Sequence, residues 1–243
     1  MEQTALAEAR RLLAQAASLC VLTGAGISAE SGVPTFRGPG GLWENHRPED
    51  LATPGAFRRD PALVWRWYAW RRGLIAACRP NPGHTALVRL EERLPSFTLI
   101  TQNVDGLHAL AGSRRLLELH GNLWRTRCTA CGLEAEDRRP ELPPLPACPA
   151  CGGLLRPAVV WFGESLDPTG LDAAWRAARE GAVMLTVGTS AMVEPAASLV
   201  RVAREAGARV IQVNLEATAH TPLADYSLLG PAGQVLPRLV EET

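Results

Sequence analysis

The stretch CVLTGAGISAESGVPTFR, residues 20–37, decides how the fold is interpreted. It opens with a short apolar run, Cys20 to Leu22, which is typical of a buried strand. Residues 24–29 then have the form G-x-G-x-x-A. In such a turn, glycines let the backbone approach a pyrophosphate, and the following helix N-terminus supplies N–H donors. Gly-Ala-Gly turns also end many ordinary strands, so the form alone leaves both interpretations open.

The usual acidic partner of such a turn is missing. A Rossmann-type dehydrogenase carries an acid about 20 positions after the glycines, for the adenosine ribose. Here that region, residues 39–44, is rich in turn-forming residues. An acid at a strand end comes much later, where a predicted strand at 209–213 is followed by Asn214-Leu215-Glu216. Asn214 and Glu216 are therefore candidates for the adenosine ribose.

Composition limits the class of protein. A chain of 243 residues that is 47% hydrophobic can form one large domain, or a large and a small one. The formal net charge is zero, which gives no indication of a nucleic-acid-binding or acidic-membrane surface. The sequence contains no apolar run of membrane-spanning length, and the N-terminus lacks a secretory h-region. We expect a cytoplasmic protein with no direct nucleic-acid partner and no membrane partner.

Four of the six cysteines form two C-x2-C pairs that are separated by 16 residues. Four thiolates at this spacing can bind Zn²⁺ tetrahedrally and leave no open coordination position. The pattern therefore predicts one structural zinc ion. Its ligands are Cys128, Cys131, Cys148 and Cys151; Cys20 and Cys78 are left as packing residues.

Alternating strand and helix patterns predict a parallel, doubly wound sheet. Two of its strands end in polar clusters, Gln102 to Gly106 and His120 to Asn122. Ligands bind at the carboxyl ends of such strands, although a polar turn and a structural histidine are the ordinary alternatives. If His120 is functional, its position suits acid–base chemistry, because the unperturbed pKa of histidine is near 6.5.

A helix is well signalled from Asp60-Pro61 onward. At 100° per residue, Arg71 falls inside the apolar arc and Tyr68 at its edge, while Arg66 and Arg72 fall outside. An arginine on an apolar face is costly unless it is paired with an anion. Arg71 either snorkels to an internal acid or forms, with Tyr68, a pocket for a ligand carboxylate.

Short motifs follow one another along nearly the whole chain. They are GAGIS (24–28), PTFR (34–37), GLW (41–43), TQNVD (101–105), LHG (119–121), the four cysteines, VWFGE (160–164), GTS (188–190) and VN (213–214). In this order they resemble the sirtuins, which are NAD-dependent protein lysine deacylases, and in particular the bacterial desuccinylase-type class.

The resemblance implies an α/β fold: a Rossmann-like doubly wound parallel sheet with a smaller inserted helical and zinc-ribbon domain. The chain, 1–243, would be a single catalytic unit. Its large domain would comprise about 1–39, 91–120 and 158–243. The small domain would comprise a helical part, about 40–90, and the zinc ribbon, about 121–157. NAD and the acyl-lysine would enter the cleft between the domains from opposite sides.

The resemblance also implies roles for individual residues. His120 would be the general base. Val160, Phe162, Gly163 and Glu164 would pair with the substrate backbone as an added strand, and Phe36 would shield the reactive ribose. The residues expected to bind NAD are Gly24, Ala25, Gly26, Ile27, Ser28, Phe36, Arg37, Trp43, Gln102, Asn103, Val104, Asp105, Gly188, Thr189, Ser190, Asn214, Leu215, Glu216 and Ala232.

The expected reaction consumes NAD and yields nicotinamide, free lysine and 2′-O-acyl-ADP-ribose. Within the family, a Tyr-x-x-Arg pair and an upstream Ala-Thr-Pro mark enzymes that remove succinyl and malonyl groups. This chain has Tyr68, Arg71 and Ala52-Thr53-Pro54, which favours the carboxylate pocket, with deacetylation retained. The alternatives are a mono-ADP-ribosyltransferase on the same NAD site and a non-catalytic adaptor. The combination of Asn103, Asp105 and His120 favours an enzyme over an adaptor.

Overall fold

The computed structural model describes residues 2–36, 41–45 and 47–241. The strands in chain order are β1 (Ser18–Thr23), β2 (Ser96–Thr101), β3 (Leu116–Glu118), β4 (Gly121–Cys128), β5 (Glu134–Glu136), β6 (Leu155–Val159), β7 (Val183–Val187), β8 (Arg209–Asn214) and β9 (Tyr226–Leu229). The α-helices are α1 (Glu2–Ala14), α2 (Gly26–Ala29), α3 (Leu42–Asn45), α4 (Pro48–Leu51), α5 (Pro54–Arg59), α6 (Pro61–Ala76), α7 (Pro82–Arg93), α8 (Leu107–Ala111), α9 (Pro168–Glu180), α10 (Ser198–Glu205) and α11 (Ala232–Val240). Among these helices, none is long and apolar enough to span a membrane.

Six strands form one parallel sheet in the order β3-β2-β1-β7-β8-β9. In sheet order this is 3-2-1-4-5-6, the order of dinucleotide-binding folds. The predicted doubly wound parallel sheet is confirmed. The strand order reverses direction between β1 and β7, so the glycine turn after β1 lies at the point where ligands bind in such sheets.

Apolar side chains cover both faces of this sheet. Leu19 and Val21 of β1 join a cluster with α1, α7 and α11, whereas Cys20 and Leu22 join a second cluster with α9 and α10. Successive residues of a strand point to opposite faces, so a continuous apolar run is what a strand covered on both sides requires. A third cluster joins helices α4 to α6 to the smaller sheet.

The smaller sheet is antiparallel, in the order β5-β4-β6. Its central strand β4 begins at Gly121, immediately after His120, and ends at Cys128. Gly121 has φ +76°, and a Cβ atom there would clash with the carbonyl of Ala158 on β6. One strand therefore connects the candidate histidine directly to the first candidate zinc ligand.

The proline-containing segment between the glycine turn and α6 is helical over much of its described part. Three short helices occur there, α3, α4 and α5. Pro48 and Pro54 open α4 and α5, because proline's fixed φ and missing N–H suit the first helical position. Proline also starts α7, at Pro82.

The predicted orientation of α6 needs correction. Arg72, which the helical wheel put outside the apolar arc, is fully buried. Three apolar residues of the same helix, Leu63, Trp70 and Leu74, are instead 37%, 45% and 38% exposed. The helix is apolar on most of its circumference, so hydrophobicity alone does not fix its rotation. Specific contacts fix the rotation of α6 instead, such as the hydrogen bond that Arg72 donates to the backbone carbonyl of Asp137.

Two turns meet in backbone contact where the sheet order reverses. The amide of Gly24 donates to Val187 at 3.0 Å, and that of Gly26 donates to the carbonyl of Gly188 at 2.8 Å. A Cβ on Gly26 would lie 2.7 Å from the Cα of Gly188, and one on Gly24 would lie 2.8 Å from its carbonyl oxygen. These glycines are required by the contact between the turns, whatever ligand they bind.

We predict that Gly26→Ala destabilises the protein by about 1–3 kcal/mol or more, because the new methyl group meets immobile backbone. Gly73 is the matched control, since it lies in α6 and a methyl group added there would meet no atom within 4 Å. Gly73→Ala should stabilise the protein by about 0.5–1 kcal/mol. Denaturant unfolding measures both; equal effects would contradict the packing argument.

Candidate active site

A cavity of ≈ 1370 Å³ lies at the carboxyl end of the large sheet. Drug-sized ligands occupy pockets of about 300–1,000 Å³, so this cavity has room for a dinucleotide and a second molecule. Most of the sequence-predicted site residues line it: Gly24, Ala25, Gly26, Phe36, Trp43, Tyr68, Arg71, Gln102, Asn103, Val104, His120, Val160, Phe162, Gly163, Glu164, Gly188, Thr189, Ser190, Asn214, Leu215 and Glu216.

The remaining predicted residues are placed differently. Ile27, Ser28 and Asp105 are buried and do not line the cavity. Ala232 begins α11 in the apolar core, its backbone lies against Gly83, and it does not line the cavity. Its contact with NAD, which the family resemblance implies, stays a prediction. Arg37 lies outside the described residues.

His120 occupies the turn between β3 and β4 and is held in one orientation. Its Nδ1 lies 3.0 Å from the carbonyl oxygen of Gln102, and its own carbonyl accepts from the amide of Val160 at 2.9 Å. A carbonyl oxygen can only accept, so Nδ1 must carry the proton. The Nε2 lone pair is then free to act as a base. Burial lowers the pKa of His120 below 6.5, with the Gln102 contact opposing that shift, so the imidazole is neutral at pH 7.

A buried polar network connects Asn103, Ser28 and Asp105. The Asn103 side-chain amide donates to the Gly24 carbonyl at 3.1 Å and to Ser28 Oγ at 3.3 Å. Ser28 also contacts Asp105, whose carboxylate accepts from the amide of Leu107 at 2.8 Å. Burial raises the pKa of Asp105, while these hydrogen bonds oppose that shift. Asn103 is thus oriented at the cavity wall by groups behind it.

His84 supports the same network from α7. Its Nδ1 accepts the backbone N–H of Asn81 at 3.3 Å, and its Nε2 lies 3.4 Å from Ser28 Oγ. An amide can only donate, so the His84 proton is on Nε2 and points to Ser28. Burial lowers the pKa of His84 to about 4, which keeps the ring neutral. Sequence reasoning missed His84, although the Asn-Pro-Gly-His helix start was visible.

Arg71 lies buried in the cavity wall among aromatic rings. Its guanidinium carbon is 4.8 Å from the ring centre of Phe36, 5.0 Å from Trp67 and 5.8 Å from Tyr68. Within the described part of the chain, it forms no ion pair and no hydrogen bond. Burial lowers the pKa of Arg71, and nearby Tyr68 and Asp105 oppose that shift. Asp105 acts on Arg71 without forming an ion pair with it, and no other acid among those residues pairs with the guanidinium, which disfavours the snorkelling alternative.

The segment 160–164 presents fewer free amides than an added-strand mode suggests. The N–H of Val160 donates to His120, that of Phe162 to Ala52, and that of Glu164 to Trp161. The amide of Trp161 donates to the Glu164 carboxylate at 2.9 Å. Both Glu164 oxygens also accept from Arg156, at 2.5 and 2.8 Å. The Glu164 side chain therefore braces this loop.

Some residues that line the cavity were missed by sequence reasoning. Met192, Val193 and Glu194 follow β7 and line the cavity together with Leu166 and Pro168. Their only sequence signal was their position after the carboxyl end of a buried strand.

The four predicted cysteines converge as a zinc site requires. Their sulfur atoms all lie within 4.8 Å of one another, with Cys128–Cys151 at 3.5 Å and Cys131–Cys148 at 3.8 Å. With Zn–S bonds of about 2.3 Å, tetrahedral geometry places sulfur atoms about 3.8 Å apart. None of the cysteines forms a disulfide. The donor set fits one structural zinc ion with no open position.

Comparison with known proteins agrees with this geometry. The model of the Sir2 family matches residues 24–195. The chain belongs to the Sir2 family. It is 60% identical to the "NAD-dependent protein deacylase 2" of Pyrobaculum aerophilum, over 95% of this chain and 93% of that protein.

Solved Sir2 structures share the fold. A Sir2 homologue–NAD complex superposes with a TM-score of 0.91 at 50% identity, covering 96% of this chain and 92% of that one. A complex of Sir2 with a p53 peptide and NAD⁺ superposes with a TM-score of 0.86 at 31% identity, covering 96% and 95%. Sir2 membership confirms the resemblance inferred from the sequence motifs.

We predict about one zinc ion per chain of this Sir2 protein, lost in Cys131→Ser because one of four ligands is removed. Zinc loss should lower the thermal unfolding midpoint, since β4 ends at a ligand. Cys78→Ser is the matched control and should retain the metal. Metal analysis and thermal unfolding measure this; stoichiometric zinc in Cys131→Ser would contradict the assignment.

Proposed function

We propose that this Sir2-family protein is an NAD-dependent protein-lysine deacylase that removes succinyl, malonyl and acetyl groups. The observation that carries the proposal is Arg71, which is buried beside Tyr68 and forms no ion pair with any residue that the structure describes. It lies in the wall of a cavity that also presents the lone pair of His120. The curated relative from Pyrobaculum aerophilum, named as a deacylase, supports the reaction class.

The residues at the sheet reversal fit NAD. The turns at Gly24–Gly26 and Gly188–Ser190 present backbone to the cavity, as a pyrophosphate site requires. Asn214 and Glu216, after β8, would bind the adenosine ribose, and Asn103, braced by Ser28 and Asp105, would orient the nicotinamide amide. When bound as co-substrate, NAD supplies the ribose that accepts the acyl group, giving nicotinamide and 2′-O-acyl-ADP-ribose. The NAD complex of a Sir2 homologue supports this assignment.

His120 is the general base in this proposal. Its Nδ1 proton is committed to the Gln102 carbonyl, so Nε2 accepts a proton from a ribose hydroxyl. The neutral ring at pH 7 keeps this lone pair available. Gln102 positions the base through its backbone, and its side chain donates to Thr189 at 3.1 Å.

Arg71 and Tyr68 define the acyl class. A succinyl or malonyl group ends in a carboxylate, which would supply a paired anion that no described residue gives the buried guanidinium. Ala52, a small residue, lines the same wall and leaves space for the longer chain. An acetyl group makes no contact with this charge, so deacetylation is retained.

The substrate is an acylated lysine within a protein or peptide. The walls at Val160–Glu164 and Met192–Glu194 would hold its backbone in an extended form. The Sir2 complex with a p53 peptide supports a peptide in this cleft. The expected division into a large domain and a two-part small domain also remains a proposal; the third apolar cluster, which joins the α4–α6 helices to the smaller sheet, supports it. A cytoplasmic location remains a prediction from the sequence.

We predict that labelled NAD and an acylated peptide yield acyl-ADP-ribose, and that His120→Ala lowers turnover by about 10²–10⁴-fold. In the wild type, kcat/KM should fall as the pH drops through the His120 pKa, below 6.5, because protonation removes the base. Chromatography of labelled products measures the outcome. Label on an acceptor protein instead would indicate an ADP-ribosyltransferase. Because the chain contains no lysine, the acylated lysine in this assay comes from the peptide and not from the enzyme.

We predict that Arg71→Met lowers kcat/KM for a succinylated peptide by about 10–100-fold, because the buried counter-charge is lost. The acetylated version of the same peptide should change by less than about threefold. Arg66→Met, on the exposed side of α6, is the matched control and should leave both substrates unaffected. Equal losses on both acyl groups in Arg71→Met would refute the carboxylate role.

A further inference from the structure

The hydroxyl of Tyr68 receives a hydrogen bond from Trp161. The indole Nε1 of Trp161 lies 2.9 Å from the Tyr68 oxygen, and both side chains are almost completely buried in the cavity wall. An indole nitrogen can only donate, so the phenol oxygen is the acceptor. The single phenol proton is therefore directed to another partner.

The indole of Trp161 is held by groups other than Tyr68. The guanidinium carbon of Arg156 lies 3.5 Å from the centre of the Trp161 rings, and the Phe57 ring lies 5.2 Å away. Arg156 is itself fixed by both oxygens of Glu164, at 2.5 and 2.8 Å, and by the Val159 carbonyl at 2.9 Å. The direction of the indole N–H is thus set by the loop after β6, independently of the hydroxyl that it contacts.

We propose that Trp161 is a positioning residue for acyl selectivity. Its N–H orients the Tyr68 hydroxyl as a donor into the pocket that Arg71 also lines, so the site favours an acyl group ending in an anionic acceptor. This role rests on the proposed acyl class, and it assigns to Trp161 an increase in the discrimination between anionic and neutral acyl groups.

The physical basis is the cost of a buried donor without an acceptor. A carboxylate accepts from the Tyr68 hydroxyl and the Arg71 guanidinium together, whereas a neutral chain of the same length leaves the hydroxyl unsatisfied. A hydroxyl that already accepts a hydrogen bond is also a stronger donor. Without the Trp161 N–H, the Tyr68 hydroxyl turns its proton elsewhere, and discrimination between the two acyl groups decreases.

The test compares succinyl-lysine with butyryl-lysine, its uncharged analogue of equal chain length, in one peptide at saturating NAD. Trp161→Phe should lower the succinyl-to-butyryl ratio of kcat/KM by about fivefold to tenfold. The loss should appear in the KM for the succinyl peptide and should exceed any loss on the butyryl or acetyl version of the same peptide. Trp65→Phe is the matched control: it removes another buried indole donor, to the Leu155 carbonyl at 2.8 Å, and should leave the ratio unchanged.

A double-mutant cycle separates positioning from simple packing. Tyr68→Phe should lower the ratio as Trp161→Phe does, and the double variant should lose no more than Tyr68→Phe alone. Multiplicative losses, or equal losses on all acyl groups in Trp161→Phe, would overturn the inference. If Trp161→Phe does not fold, Tyr68→Phe still decides, because an unchanged ratio there removes the hydroxyl from selectivity.

The outcomes also separate this inference from the proposed function. A wild-type enzyme that deacetylates but does not desuccinylate refutes the proposed acyl class and, with it, the role of Trp161. A wild type that desuccinylates, with an Arg71-dependent preference that Trp161→Phe leaves intact, refutes the role of Trp161 alone.

Discussion

The contact between two glycine turns positions the rest of the cavity. Gly24 and Gly26 after β1 meet Gly188 after β7 at distances that exclude a Cβ atom. Thr189, the next residue, accepts from the Gln102 side chain at 3.1 Å, and the Gln102 carbonyl fixes the tautomer of His120. A backbone contact at the sheet reversal is thereby connected, through two hydrogen bonds, to the candidate base. The glycines matter for packing first, and their suitability for a pyrophosphate follows from the same bare backbone.

Adjacent arginines on α6 serve different purposes because a helix turns 100° per residue. Arg72 donates to the backbone carbonyl of Asp137, lies 5.1 Å from the Trp124 ring centre, and pairs with the Asp137 carboxylate at 3.5 Å. Arg71 points into the cavity and has no such acid among the described residues. Burial lowers the pKa of both. A charge that is already partnered braces the helix against the smaller sheet, whereas a charge without a partner is available to a ligand.

Much of this arrangement could be predicted from local signals. Buried parallel strands, the C-x2-C pairs and the Asp60 cap of α6 each depend on neighbouring residues, and each was located correctly. The rotation of α6 could not be predicted, because its apolar surface extends most of the way round and Asp137 is distant in sequence. Met192–Glu194 have no local signal beyond their position after a buried strand, since only the assembled fold brings them to the cavity that the loop after β6 also lines.

The two histidines His84 and His120 carry their protons on different ring nitrogens, and backbone groups determine both positions. At His84, the Asn81 amide fixes the ring proton on Nε2, so Ser28 Oγ accepts from both His84 and Asn103. At His120, the Gln102 carbonyl accepts a hydrogen bond from the protonated Nδ1, which leaves Nε2 as an acceptor. The tautomer of each histidine is fixed by a backbone group. The N–H that contacts His84 can only donate, and the C=O that contacts His120 can only accept. The site therefore presents an oriented amide and a base without relying on the charge state of either histidine, since burial keeps both neutral at pH 7.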